Sequence, residues 1–192
     1  MVTKIYNKLS KMKTKLHRLQ NKYRVWKLKM QGCKIGKNCI IGRRVTIIGK
    51  ANIQLGDNII IEDNVRIKVN NYSNSENKHQ LVIHNNVFIG YGCVIDANIM
   101  VEIHDYCMFG PYCFITDSNH VHHLNDDIFP FLGGKYKNVV IKENCWLGAH
   151  CIVLPGVIIN KNSIIAANSV VLKNVQSNSL NTGSPTVEKK RN

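Results

Sequence analysis

Eight histidines carry most of the chemistry open to this 192-residue chain. Three of them, His120, His122 and His123, crowd into the stretch Thr116-Asp-Ser-Asn-His-Val-His-His. Imidazole titrates near neutral pH, so one member of such a group could act as a general base. His84, His104 and His150 stand apart, and His17 belongs to a basic N-terminal stretch. His79 and His84 lie five apart, which raises the question of a metal, but His79 sits in a polar segment and spacing supplies no third ligand. The seven cysteines are odd in number and lack paired spacing, against both a disulfide framework and a thiolate metal site. They read as small buried thiols, which suits a reducing compartment.

The sequence around these residues repeats every six positions. From Ile141 the chain runs Ile-Lys-Glu-Asn-Cys-Trp, Leu-Gly-Ala-His-Cys-Ile, Val-Leu-Pro-Gly-Val-Ile, Ile-Asn-Lys-Asn-Ser-Ile, Ile-Ala-Ala-Asn-Ser-Val. The same beat starts at Ile35, Ile41 and Ile47, at Leu55, Ile61 and Ile67, at Ile83, Ile89 and Ile95, and at Ile103, Phe109 and Ile115. All eighteen first positions counted to Val171 are apolar. A helix cannot keep a six-residue period on one face, whereas a short strand followed by a turn can. Three such units make one coil of a triangular prism, with each first residue aimed at the axis. The fifth position takes six of the seven cysteines, and the fourth is Asn or Gly in twelve of eighteen units. Asn and Gly tolerate the left-handed backbone of a sharp corner. The eight-residue steps from Ile47 to Leu55 and from Ile95 to Ile103 predict two-residue bulges at corners. The expected fold is an all-β solenoid, a parallel β-helix. His84 and His104 then point outward from second positions and His150 lies at a corner, all three solvated or at an interface. His120, His122 and His123 fall where the prism breaks into its longest loop.

Residues 1–30 are a different material, with ten Lys and Arg and no acid against a net charge of +14 for the chain. Ile5, Leu9, Met12, Leu16, Leu19, Tyr23, Trp26 and Met30 recur at spacings of four and three, one stripe of an amphipathic α-helix. Such a helix could pack its stripe on the prism or a neighbouring subunit, or lie on an anionic membrane surface. Nucleic acid is not expected, because no base-reading motif is present. The catalytic prism is expected over residues 31–175, with loops at 69–81 and 117–138, followed by a tail at 176–192 that cannot be read. No apolar run approaches the ~20 residues of a membrane span, and no signal-peptide core opens the chain. The expected location is the cytoplasm, with attachment to the inner face of the membrane as an option.

The hexads together with Thr116–His123, Asn144-Cys-Trp-Leu-Gly148, Leu154-Pro-Gly-Val157 and Gly183-Ser-Pro185 resemble the hexapeptide-repeat acyltransferases. Similarity is greatest to the O-acetyltransferase branch, which includes galactoside and maltose acetyltransferases and enzymes that decorate capsule and O-antigen sugars. The resemblance covers roughly residues 32–187. It implies a left-handed β-helix, acetyl-CoA as cosubstrate, a sugar or glycan acceptor, a homotrimer with sites between neighbouring shafts, and no metal. The family's base is a histidine five residues after the first position of its unit, which here is His120, five after Ile115. Trp146 would be the site tryptophan, while Gly148, Ala149, Ala167 and Lys173 would meet acetyl-CoA. A backbone N–H or Trp146 would face the oxyanion, and Asp117 would orient the imidazole or sit solvated at a corner. Lys173, Lys189, Lys190 and Arg191 would neutralise the cofactor's phosphates.

Two departures stand out. Val121 follows His120 where galactoside-type enzymes have Pro, which is nearer the polysaccharide-modifying relatives, and Leu172 stands where Thr is frequent. The basic helix also replaces the N-terminal domain of the maltose type, so acceptor choice does not carry over. Other acceptors (serine, an amino sugar, chloramphenicol) remain open, as do a γ-type carbonic anhydrase and a non-catalytic scaffold.

Overall fold

The computed structural model describes residues 2–70, 79–120 and 134–189, with helix side chains from residue 16 onward. Short parallel strands form three sheets around one axis. The first face stacks Lys34–Ile35, Ile53–Leu55, Leu81–Ile83, Val101–Ile103, Val139–Ile141 and Ile158–Ile159. The second stacks Ile40–Ile41, Ile60–Ile61, Phe88–Ile89, Met108–Phe109, Trp146–Leu147, Ile164–Ile165 and Leu180–Thr182. The third stacks Thr46–Ile48, Arg66–Val69, Val94–Ala97, Phe114–Thr116, Ile152–Val153 and Val170–Val171. In-register pairing puts like positions above one another, so Ile41, Ile61, Ile89, Phe109, Leu147 and Ile165 form one buried ladder. The six-residue period therefore builds the core directly.

Corners explain the remaining positions of the repeat. Asn38, Asn58, Asn64, Asn86, Asn144, Asn162 and Asn168 have φ between 55° and 61°. Asn side chains also bond along the axis, as in Asn38 to Asn58 to Asn86. The same left-handed turn is imposed on Arg44, Tyr106, Tyr112 and His150, at φ of 54° to 61°, where it costs about 1–2 kcal/mol each. All seven cysteines are buried and free. Several thiols donate to a carbonyl of a neighbouring coil, for example Cys107 to Lys142 at 3.0 Å and Cys113 to Gly148 at 3.1 Å. Burial pushes the Cys33 thiol up to about 12, and the bond to Cys145 together with burial pushes Cys107 up. The step from Ile47 to Leu55 is taken up by a 3-10 turn, Lys50–Asn52.

Helix α1, Val2–Met30, closes the N-terminal end. It stops in a Schellman motif: Gly32 N–H bonds Lys29 O at 3.0 Å, Cys33 N–H bonds Leu28 O at 3.1 Å, and Gly32 has φ 91°. Val25 and Leu28 pack on the core. Asn21 accepts from Ile41 N–H at 2.8 Å and donates to Cys39 O at 3.0 Å, while Arg24 Nε donates to Ile41 O at 2.8 Å. These bonds pair the open edge of the first strand of the second face. The expectation that the apolar stripe itself packs on the prism is overturned. Leu16, Leu19, Tyr23, Trp26 and Met30 are 54% to 70% exposed, because the face holding Asn21, Arg24, Val25 and Leu28 is the one docked. Ile5, Leu9 and Met12 lie outside the described side chains. No helix among the described residues is long and apolar enough to cross a membrane.

The segment after residue 175 is less separate than its composition suggested. Leu180–Thr182 adds a strand to the second face, and Val187–Lys189 folds back antiparallel upon it. Gly183 O accepts from Val170 N–H, and Thr186 N–H bonds Val170 O. The axial ladder ends in polar groups there, with Asn181 buried and bonded to Ser179 at 2.7 Å.

Candidate active site

The chain leaves the prism at the corner after Phe114–Thr116. Ser118–His120 there pairs antiparallel with Gly134–Tyr136, and His120 lies opposite Gly134. His120 is exposed, and its backbone N–H is fixed by Asn119 Oδ1 at 3.0 Å. Its ring makes no hydrogen bond to a described residue.

Asp117 anchors this ribbon and corrects both roles foreseen for it. It is fully buried, neither solvated nor turned towards the His120 ring. Oδ2 accepts from the backbone N–H groups of Ile99 and Met100 at 2.7 and 2.8 Å. Oδ1 accepts from Asn98 N and Nδ2 at 2.8 and 3.0 Å. Asp117 thus ties the bulge between Val94–Ala97 and Val101–Ile103 to the ribbon, while its own carbonyl receives Lys137 N–H at 2.9 Å. It positions His120 through the backbone.

Asp96 escaped the sequence reading. It stands beside Thr116 in register, on the outward side of the third face. One carboxylate oxygen is buried with no hydrogen-bond partner. Burial raises its proton affinity, opposed by Lys68 and reinforced by Asp117. An acid at a second position next to the loop exit was the signal in the sequence.

Gly148, Ala149 and Ala167 come together on the corner that follows the second face. A Cβ on Gly148 would meet Ala167 N at 2.6 Å and its Cα at 2.9 Å. Ala149 O accepts from Asn168 N–H at 2.9 Å, which stacks the two coils closely. Small residues keep this corner low. Lys173 is exposed one corner further on. Trp146 is 47% exposed on the second face, in register between Met108 and Ile164. It leaves the prism from a different face than His120, so a single chain does not bring the two together. Lys189 is exposed in the last strand; His122, His123, Lys190 and Arg191 lie outside the described residues.

His84 and His104 are not simply solvated. Their rings stack at 4.8 Å, and Glu102 Oε1 lies 2.9 Å from His84 Nε2 and 3.4 Å from His104 Nε2. Glu143 reaches His104 Nδ1 at 3.2 Å. The ligand atoms of His84, Glu102 and His104 fall within 4.8 Å of one another, a metal-compatible grouping among the described residues that leaves out His79. Within the group His84 Nε2 shares a hydrogen bond with Glu102 Oε1, whereas His104 Nε2 is buried without a hydrogen-bond partner.

Residues 138–173 match the family described as bacterial transferase hexapeptide (six repeats), and residues 32–68 match the hexapeptide repeat of succinyl-transferase. A galactoside O-acetyltransferase of Lactococcus lactis is 37% identical over 113 residues, 55% of this chain and 53% of that protein. The chain thus spans about half the length of that relative. The dTDP-4-amino-4,6-dideoxy-D-glucose acyltransferase of Escherichia coli is 29% identical, with 82% of each chain covered. Among solved structures, a mutant of AntD, an N-acyltransferase from Bacillus cereus in complex with dTDP and coenzyme A, superposes with a TM-score of 0.73. It is 21% identical, over 85% of this chain and 87% of that one, a likeness of fold. The prism is accordingly a left-handed parallel β-helix.

Proposed function

Because the chain belongs to the hexapeptide-repeat acyltransferases, we propose that it is an acetyl-CoA-dependent O-acetyltransferase acting on a sugar hydroxyl. The acceptor we infer is a capsular, O-antigen or other cell-surface glycan, met at the inner face of the membrane. The observation that carries the reading is His120: an exposed imidazole on a two-stranded ribbon whose base is locked by the buried Asp117. In the proposed step a free ring nitrogen of His120 takes the hydroxyl proton as the oxygen attacks the thioester carbonyl. The tetrahedral intermediate then collapses, the C–S bond breaks, and the imidazolium returns the proton to the coenzyme A sulfur. A positioned base of this kind contributes roughly 10²–10⁴ in rate. Trp146 Nε1–H or a backbone N–H would face the oxyanion.

The site is assigned to the contact between chains of a homotrimer. The supporting observations are that His120 and Trp146 leave different faces, and that the outward column of the second face is apolar. Ile40, Ile60, Met108 and Trp146 are 36% to 49% exposed there. Acetyl-CoA is assigned to the low corner at Gly148, Ala149 and Ala167, with Lys173 near its phosphates. Asp117 supports the ribbon.

A second reading has its own support, since the relative covered over 82% of its length acts on an amino sugar. An amine that attacks as the free base needs less help from His120. The test is release of coenzyme A thiol from acetyl-CoA across simple sugars, nucleotide amino sugars and capsular polymers, with His120→Ala alongside. Hydroxyl-dependent release that falls roughly 10²–10⁴-fold in the variant is expected. Equal release in both proteins would remove His120 from the chemistry, and release only with amines would install the second reading.

A further inference from the structure

The outer face of α1 is left exposed by the described residues of the prism. At about 100° per residue, Leu16, Leu19, Tyr23, Trp26 and Met30 form one strip, each more than half exposed. Tyr23 and Trp26 lie with ring centroids 5.9 Å apart, a contiguous aromatic surface. The opposite side of the same helix, carrying Asn21, Arg24, Val25 and Leu28, is committed to the prism. The docking therefore holds the strip outward. On the helix surface Arg18, Lys22 and Lys29 run along one edge of the strip and Lys27 along the other, all exposed.

We propose that this face of α1 is a docking surface for an anionic lipid bilayer, with Leu19, Tyr23 and Trp26 entering the interface and the flanking cations meeting the headgroups. Charge selects the occupant. Residues 1–30 hold ten cations and no anion, so a second copy of this helix would bring like charge against like charge. A bilayer rich in acidic lipids offers both the apolar layer and the negative surface. Tyr and Trp favour the headgroup level, where one end of the ring is wet and the other dry. The rest of the molecule would hang from this face as a stiff shaft. The inference stands independently of the acyltransferase reading, because it concerns an element outside the repeats.

Flotation with vesicles tests it on the full chain. Wild-type protein should float with phosphatidylglycerol–phosphatidylcholine vesicles, and roughly tenfold less with phosphatidylcholine alone or in high salt. The Leu19→Glu/Trp26→Glu variant should bind anionic vesicles at least roughly tenfold more weakly, while keeping its melting temperature, because both side chains are more than half exposed. Point substitutions are used because deleting α1 would also strip Asn21 and Arg24 from the strand edge. Wild-type protein remaining unbound, or the double variant floating equally, overturns the proposal. A fall in oligomer mass of the double variant by light scattering also overturns it, and assigns the strip to a second copy.

Discussion

Replacing Asp117 by Asn separates a structural anchor from a group that orients the imidazole or a solvated corner. The carboxylate serves four donors: the N–H groups of Asn98, Ile99 and Met100, and the side-chain amide of Asn98. Asparagine keeps one acceptor oxygen and puts an NH₂ group where the other oxygen was. With its oxygen at the Oδ2 position, Asn98 Nδ2 loses its acceptor; with the opposite orientation, Ile99 and Met100 do. One or two buried donors are stranded either way, at about 1–3 kcal/mol each, and the charge that strengthened the surviving bonds is lost. A destabilisation of roughly 2–5 kcal/mol is expected, and at about 2–4 °C per kcal/mol for a chain of this size the melting temperature should fall roughly 4–20 °C. Circular dichroism gives the melting shift, and hydrogen exchange should show the amides of residues 98–100 losing protection. Unchanged melting with unchanged protection at those amides would refute the anchoring role.

Other outcomes follow from the same contacts. None of the seven cysteines should react with Ellman's reagent in the folded protein and all should on unfolding, since they are buried and Cys33 is held up to about 12; fast native labelling would contradict the buried ladder. Asp96 has a folded proton affinity raised chiefly by burial. Its contribution to stability is fully present below the unfolded carboxyl value and is lost as pH rises through the folded one. Asp96→Asn should therefore raise the melting temperature more at pH 7 than at pH 3, and an equal shift at both would count against it. Gly148→Ala drives a Cβ to within 2.6 Å of Ala167 N, so a loss of about 1–3 kcal/mol and weaker acetyl-CoA binding by calorimetry are expected; wild-type values for both would show that the corner can open.

The repeat was legible because each position has one physical job. An inward ladder demands a bulky apolar residue at the first position, and a tight interior corner demands a small one at the fifth. Where the demand was weaker, the signal faded. Arg44, Tyr106, Tyr112 and His150 take the same left-handed corner as the asparagines, yet nothing in their chemistry announces it; stacking of successive coils imposes it. The role of Asp117 was hidden for a related reason, since its donors lie 17–19 residues back in the preceding coil and no local pattern relates them. The helical stripe was read correctly as a stripe, and of the neighbours left open for it the prism is the one the structure removes. Hydrophobic periodicity finds an apolar face without saying which face docks, and here two side chains with hydrogen bonds to an open strand edge, Asn21 and Arg24, outweigh a longer apolar row.

Those two side chains have a consequence for assembly. A stack of in-register strands is a template at both ends, able in principle to recruit another stack and grow without limit, as fibrils do. Here Asn21 and Arg24 occupy the lower rim, while the fold-back of Val187–Lys189 and the buried Asn181 blunt the upper one. On the second face both open edges are thereby occupied, which works against stacking one shaft end to end on another.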